Sequence, residues 1–201
     1  APGVHVLNPP SLRLDDPRVH LADMTGDGIP DLVFVERRRV LVLRGLGFGR
    51  FDTPYPLRGA PDFGASFDPT GVRFADLTGS GQADLLYVRA GTASVAFTLA
   101  GKALSALTGV ATVPQSSHGH VEPVDLLGTG AQGLLFTDHQ GRPGAWRFAE
   151  LFPEGSPDLL STIDNGLGAR STIAYASSAE HWVRDLAQGR PWKTGMPSPQ
   201  R

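Results

Sequence analysis

The sequence contains no cysteine. Disulfides, thiol catalysis and Cys-ligated zinc are therefore excluded. The compartment stays open, because a secreted chain of this size can do without bridges. Neither sign of charge is in excess: 18 Lys and Arg stand against 20 Asp and Glu, for a net of −2 and an isoelectric point near 6.3. Such a chain offers no basic field to a nucleic acid or an anionic membrane, so neither is expected as a partner. The densest basic run, Arg37-Arg38-Arg39, lies between two apolar runs and reads as a solvated hairpin turn. Long apolar runs are missing too, and none approaches the ~20 residues of a membrane span. No signal peptide is visible, and the first residue is Ala1 rather than Met, which reads as a processed or excised piece. Helical periodicity is absent from residues 1–160. Neither a Gly-x-Ser-x-Gly elbow nor a phosphate loop occurs, and the chain is read as non-enzymatic.

What is present is repetition. "HLADMTGDGIPDLVFVE" (20–36) returns as "RFADLTGSGQADLLYVR" (73–89) and, worn, as "EPVDLLGTGAQGLLFTD" (122–138). Asp23, Asp76 and Asp125 come into register at spacings of 53 and 49 residues. Gly26, Gly79 and Gly128 align, as do Gly28, Gly81 and Gly130; Asp31 and Asp84 match, but the third copy has Gly133. Each copy leads into an apolar run. The 25 Gly and 17 Pro lie between such runs, which reads as many tight turns and not as disorder. Repeats of about 50 residues built from short strands suggest propeller blades, each needing about four strands.

The strands read as "DLVFVE", "RVLVLRG" and "GRFDTPYPL", then "VRFADL", "DLLYVR", "ASVAFTLA" and "KALSALT", then "LLFTD" and "GAWRFAEL" joined by "HQGRP". Several alternate with period two, as a sheet with a buried face requires. "GVHVLNP" reads as the last strand of an earlier blade. The expected fold is all-β: a partial β-propeller of about three blades over 1–157, with loops at 23–31, 76–84 and 125–133. A hairpin, a short helix and a connecting tail are expected over 158–201. A closed propeller needs at least four blades. A longer parent chain or partner chains should therefore complete the ring, since raw sheet edges invite aggregation.

The loops carry oxygen ligands at alternate positions. In "DMTGDGIPD" these are Asp23, Thr25, Asp27 and Asp31 at positions 1, 3, 5 and 9, with the Ile29 carbonyl at position 7. Calcium takes six to eight oxygens, and the spacing resembles the first half of an EF-hand loop, although Phe34 stands at position 12. It is closer to the D-x-[DN]-x-D-G-x-x-D pattern of integrin-type and VCBS propeller repeats, from which Thr25 departs. The second loop offers Asp76, Thr78, Ser80 and Asp84, with two charges in place of three. The third keeps Asp125 and Thr129 but has Leu127 and Gly133, and is read as dead for metal. Two readings stay open. Calcium is the candidate cofactor of the first two loops, or the carboxylates cap backbone N–H groups in Asx-type turns that Gly completes.

From residue 158 the texture changes. "LLSTI" and "RSTIAYA" flank an Asn165-Gly166 turn signal, as a hairpin with a long loop. Ser177 to Glu180 fits a capping box, and "AEHWVRDLAQG" is the one helix, closing at Gly189 before Pro191. The stretch "IDNGLGARSTIAYASSAEHWVRDLAQGRPW" resembles the segment after the propeller repeats in the B component of bacterial insecticidal toxin complexes (Tc toxins) and in SpvB-type virulence proteins. "LADMTGDGIPDLVFV" and "FADLTGSGQADLLYV" are similar to the same family's repeats, and the resemblance covers about residues 20–197. It implies a non-enzymatic docking or structural segment of a secreted bacterial toxin or virulence assembly. In that family the B and C components form a hollow shell around a toxic enzyme, and a B propeller docks on the pore-forming component and gates release. A pore-forming component and a shell-forming component are thus the implied partners. SpvB-type proteins add an ADP-ribosyltransferase domain, to which nothing here is similar, and no catalytic residue is carried over.

The rival reading is a calcium-dependent extracellular propeller that binds sugar or protein, since propeller loops present binding residues on rigid blades. An enzyme is the weaker rival: His118 and His120 in "SSHGH" could grip a metal, but no third ligand is evident. Trp146 in "GAWRFAEL" is expected in a blade core. Trp182 and Leu186, at i and i+4, are expected to seat the helix on a sheet, leaving Trp192 the most open to a partner.

Overall fold

The computed structural model describes residues 6, 10–89, 91–111, 120–137, 146–153, 157 and 159–192. The first blade is a four-stranded antiparallel sheet of β1 (Val19–Ala22), β2 (Asp31–Glu36) and β3 (Arg39–Leu43), closed by β6 (Tyr55–Pro56). Between its last two strands a side hairpin projects, β4 (Gly45–Gly47) with β5 (Arg50–Phe51). The second blade repeats the plan: β7 (Val72–Ala75), β8 (Asp84–Arg89), β9 (Thr92–Ala96), side hairpin β10 (Thr98–Leu99) with β11 (Ala103–Leu104), then β12 (Thr108–Ala111). The third has β13 (His120–Val124), β14 (Gly133–Thr137) and β15 (Arg147–Ala149).

The blades stack face to face because their strands are apolar on both sides. Cross-strand pairs Val33↔Val42 and Val35↔Val40 put one side of the first blade toward the second. There they pack with Val72, Leu85, Tyr87 and Ala96 in one buried cluster. Leu86, Ala93 and Val95, on the opposite side of the second blade, pack with Leu134 and Phe136 of the third. Strands buried on both faces read as near-continuous apolar runs, which is why "DLVFVE" and "DLLYVR" show little alternation. Each such Val or Leu contributes roughly 1.5–3 kcal/mol by leaving water. The sheets are not closed into a ring; the propeller is partial, as expected.

Arg37 and Arg38 form the β2–β3 turn, exposed as expected, with Arg38 paired to Asp62 and Arg39 to Glu36. Several expected strands are shorter. "ASVAFTLA" breaks at Phe97, whose N–H and C=O both bond Ser105, so the chain leaves β9 and enters the side hairpin. "KALSALT" likewise divides between β11 and β12, and "GRFDTPYPL" between β5 and β6. The first strand-like run and "HQGRP" fall outside the described residues, apart from an exposed Val6 that is in no strand.

In the tail, β16 (Thr162–Asp164) pairs with β17 (Arg170–Thr172). Asn165 Oδ1 accepts the N–H groups of Leu167 and Ala169, which fixes the long loop between them. Helix α1 (Ser178–Ala187) follows, and Gly189 ends it with φ +70°. Ser177 caps it by accepting the Ala179 N–H at 3.1 Å.

Three tryptophan-related expectations are corrected. Trp146 lies just before β15 and is 66% exposed. Its neighbour Phe148 pairs with Leu135, on the side of the third blade opposite to Leu134 and Phe136, which face the second. Trp182 is half-buried but Leu186 is 49% exposed, and no residue of the helix is fully buried, so the pair does not seat it on a sheet as expected. Trp192, expected to be open, is half-buried, and its Nε1 donates to Asp185 Oδ2 at 3.0 Å, folding it back on the helix.

Candidate functional site: the row of Asp–Gly corners

Each repeated loop joins the first two strands of its blade, and the three share one internal geometry. The position 1 carboxylate accepts the N–H groups of positions 5 and 6. Asp23 accepts from Asp27 at 3.3 Å and Gly28 at 2.7 Å. Asp76 accepts from Ser80 at 2.9 Å and Gly81 at 2.8 Å, and Asp125 from Thr129 at 3.0 Å and Gly130 at 2.9 Å. Positions 4 and 6 all have positive φ, from +67° at Gly128 to +85° at Gly130, a region closed to most side chains. This accounts for the third copy keeping its glycines after losing two of its oxygen ligands.

Position 9 reaches further. Asp31 has no exposed surface, and its two oxygens accept the N–H of Met24 at 2.9 Å and of Gly45 at 2.8 Å. It clamps the corner to the start of the side hairpin. Burial pushes its carboxyl above the ordinary range, and the two N–H groups oppose that push. Gly45 must be glycine, since a Cβ would lie 2.3 Å from Pro30 O. Asp84, also buried, accepts from Thr98 N at 2.8 Å at the start of the second side hairpin. In the third corner Gly133 leaves a space that the Phe148 ring fills, 2.3 Å from where a Cβ would be.

The expected calcium ligands of the first corner are brought together, but each carboxylate oxygen already accepts a donor. Asp23 holds Gly26, Asp27 and Gly28; Asp31 holds Met24 and Gly45. Asp27 holds the Ile29 N–H and pairs with Arg44 at 2.7 Å, which keeps its carboxyl below the ordinary range. Thr25 Oγ1 lies 3.4 Å from Asp23, and its carbonyl accepts from Gln82. Ile29 packs its side chain against Gly45 and Gly47. In the second corner Ser80 Oγ accepts the Gln82 N–H, and Thr78 is buried. Among the described residues no group of three or more His, Asp or Glu is gathered to hold a metal ion. His118 lies outside the described residues, and His120 pairs with Glu122.

The corners are also tied to one another. Ala83 N, position 8 of the second corner, donates to Asp23 O at 2.7 Å, and Gln132 N, position 8 of the third, donates to Leu77 O at 3.1 Å. Gln82 Nε2 adds a bond to Thr25 O at 3.2 Å. Sequence reasoning missed Gln82, Arg44 and Phe148. Gln82 had a signal, being a polar residue between the ligand positions of a loop that faces its own copy.

A family model for an FG-GAP-like repeat matches residues 23–87, and one for the insecticide toxin TcdB middle/N-terminal region matches residues 108–201. The chain is similar to a chain of the Photorhabdus luminescens Tc holotoxin pore, with 28% identity, a TM-score of 0.73 and 90% of this chain covered. The crystal structure of TcdB2-TccC3 without its hypervariable C-terminal region gives 29%, 0.71 and 90%. The chain resembles the Tc toxin B component. It spans 9% of the length of each of those Tc toxin chains. A lectin from Agrocybe aegerita that recognises non-reducing terminal N-acetylglucosamine shares the fold, at 20% identity, a TM-score of 0.54, and coverage of 78% of this chain and 37% of that one. No curated protein matches the chain significantly. Among the described residues no helix is long and apolar enough to cross a membrane.

Proposed function

We propose that the chain is a non-enzymatic docking and structural segment of a secreted bacterial toxin complex, made of propeller blades and the connecting segment that follows them. One observation carries this: the corner repeats and the TcdB-type tail run on in a single chain whose fold is that of a Tc toxin component over nine-tenths of its length. The corners support the reading, because their carboxylates are engaged in holding the backbone of their own blade while main-chain bonds and Gln82 tie corner to corner. On this account they are metal-free ties, and calcium is not their cofactor. Affinity for a protein partner then comes from shape and many loop contacts on a rigid frame. The partners are a pore-forming and a shell-forming component of the same assembly, outside the producing cell.

The test is capture of the purified chain by an immobilised Tc pore-forming component and, separately, by a shell-forming one, beside a glycan array. Saturable binding to either toxin component supports the proposal. Binding to glycans with none to either component would overturn it in favour of an adhesin.

A further inference from the structure

The tail and the blades meet at the third corner. Ser177 Oγ donates to Gly128 O at 2.6 Å while accepting the Ala179 N–H. A Cβ on Gly128 would lie 2.7 Å from Ala179 Cβ, so the first turn of α1 rests on bare corner backbone. Gly128 is position 4. On the first corner position 4 is Gly26, where a Cβ would lie 3.1 Å from Gln82 Cγ. The same seat is thus filled by the next corner's side chain on Gly26 and by α1 on Gly128.

At the other end the row cannot extend by the same bonds. Position 8 of the first corner is Pro30, which has no N–H to give, whereas Ala83 and Gln132 give theirs to the corner before. Ile29, at position 7, packs back on its own blade.

From this geometry we infer that the start of α1 is a plug on the corner row. It holds the tail on the third blade and occupies the seat that a further corner of this type would need. Tail docking and stacking of another corner on Gly128 are alternatives, and the occupant admitted when the plug lifts is an Asp–Gly corner with a free N–H at position 8.

Ser177→Asp separates capping from docking. Its carboxylate still accepts the Ala179 N–H, as good N-caps do, but has no proton for Gly128 O. Hydrogen exchange on the full chain should quicken about tenfold in residues 177–187 and around Gly128, with β8 and β9 unchanged and helix content retained. Gly128→Ala should free the tail in the same way. Gly26→Ala, strained alike by its positive φ, should not, because Gln82 is a flexible side chain that can move aside. Exchange in both Ser177→Asp and Gly128→Ala equal to that of the parent chain would overturn the plug. A second arm tests the alternative occupant. Ser177→Asp combined with Pro30→Ala frees the seat and restores the missing N–H, so sedimentation should show head-to-tail association that neither single variant shows. A double variant that sediments like the parent chain would overturn that claim.

Discussion

The backbone N–H of Ala83 lies 2.7 Å from the carbonyl oxygen of Asp23, and this bond ties the second corner to the first. Both residues sit on loops that repeat, so the bond links units and not only strands. Gln132 N, at the same position of the third corner, donates to the second corner one residue further on, at Leu77 O. Blade faces packed by non-directional apolar contact are thereby held in one register by directional bonds at the corners.

Asp31→Ala should be among the most damaging substitutions. It strands the Met24 and Gly45 N–H groups in a site closed to water, at about 1–3 kcal/mol for each unsatisfied group. Urea unfolding should show a loss of about 2–4 kcal/mol. A loss near zero would mean that the clamp is idle.

Gly133→Asp would restore the repeat's sequence and harm the fold. The new side chain would enter the space of the Phe148 ring. The cost should be about 2 kcal/mol or more from overpacking and a buried carboxylate. Adding Phe148→Ala should recover part of it, and a double-mutant cycle should show coupling of 0.5 kcal/mol or more, in the range of about 0.5–3 kcal/mol seen for contacting residues. Simple additivity would place Phe148 elsewhere.

His20 gives stability a pH dependence. Its ring lies 5.3 Å from Phe74 across the first two blades, its Nε2 is buried, and burial followed by the nearby Arg73 charge lowers its pKa below the ordinary value. A proton binds the unfolded chain more readily than the folded one. The neutral ring's contribution is therefore complete above about pH 6.5 and is lost as pH falls through that value toward the lower folded one. Urea midpoints at pH 7.5 and 5.5 should differ more for the parent chain than for His20→Gln, and equal differences would remove His20 as the cause.

Trp146→Ala should change stability by less than about 0.5 kcal/mol, as exposed positions do. Chemical denaturation decides this. A loss of about 3 kcal/mol or more would return the residue to a core.

The propeller was legible because its signals are local: spaced Asp–Gly corners, apolar runs, and the Ser177 and Gly189 ends of the helix. The site was legible in part. The position 1 aspartates and the glycines stood out, but spacing alone could not say whether a carboxylate meets a cation or an N–H. The donors these carboxylates meet in the fold, Met24 and Gly45 (the latter 14 residues from Asp31) and Arg44 beside Asp27, carry no local signal in the loop's spacing. Trp146 was misread because alternation assigns a side of a sheet without saying which side is covered. Strands such as "ASVAFTLA" were read too long because Ser105, which breaks one at Phe97, is eight residues away.

The central claim is that the corners hold the propeller together through backbone and not through a cation. Thermal unfolding of the chain and of Asp27→Ala, each in calcium and in chelator, tests it most directly. The account predicts that calcium leaves the parent melting temperature unchanged, and that Asp27→Ala shifts it slightly and by the same amount in both conditions. A parent chain that melts several degrees higher in calcium, with that gain abolished by Asp27→Ala, would contradict it.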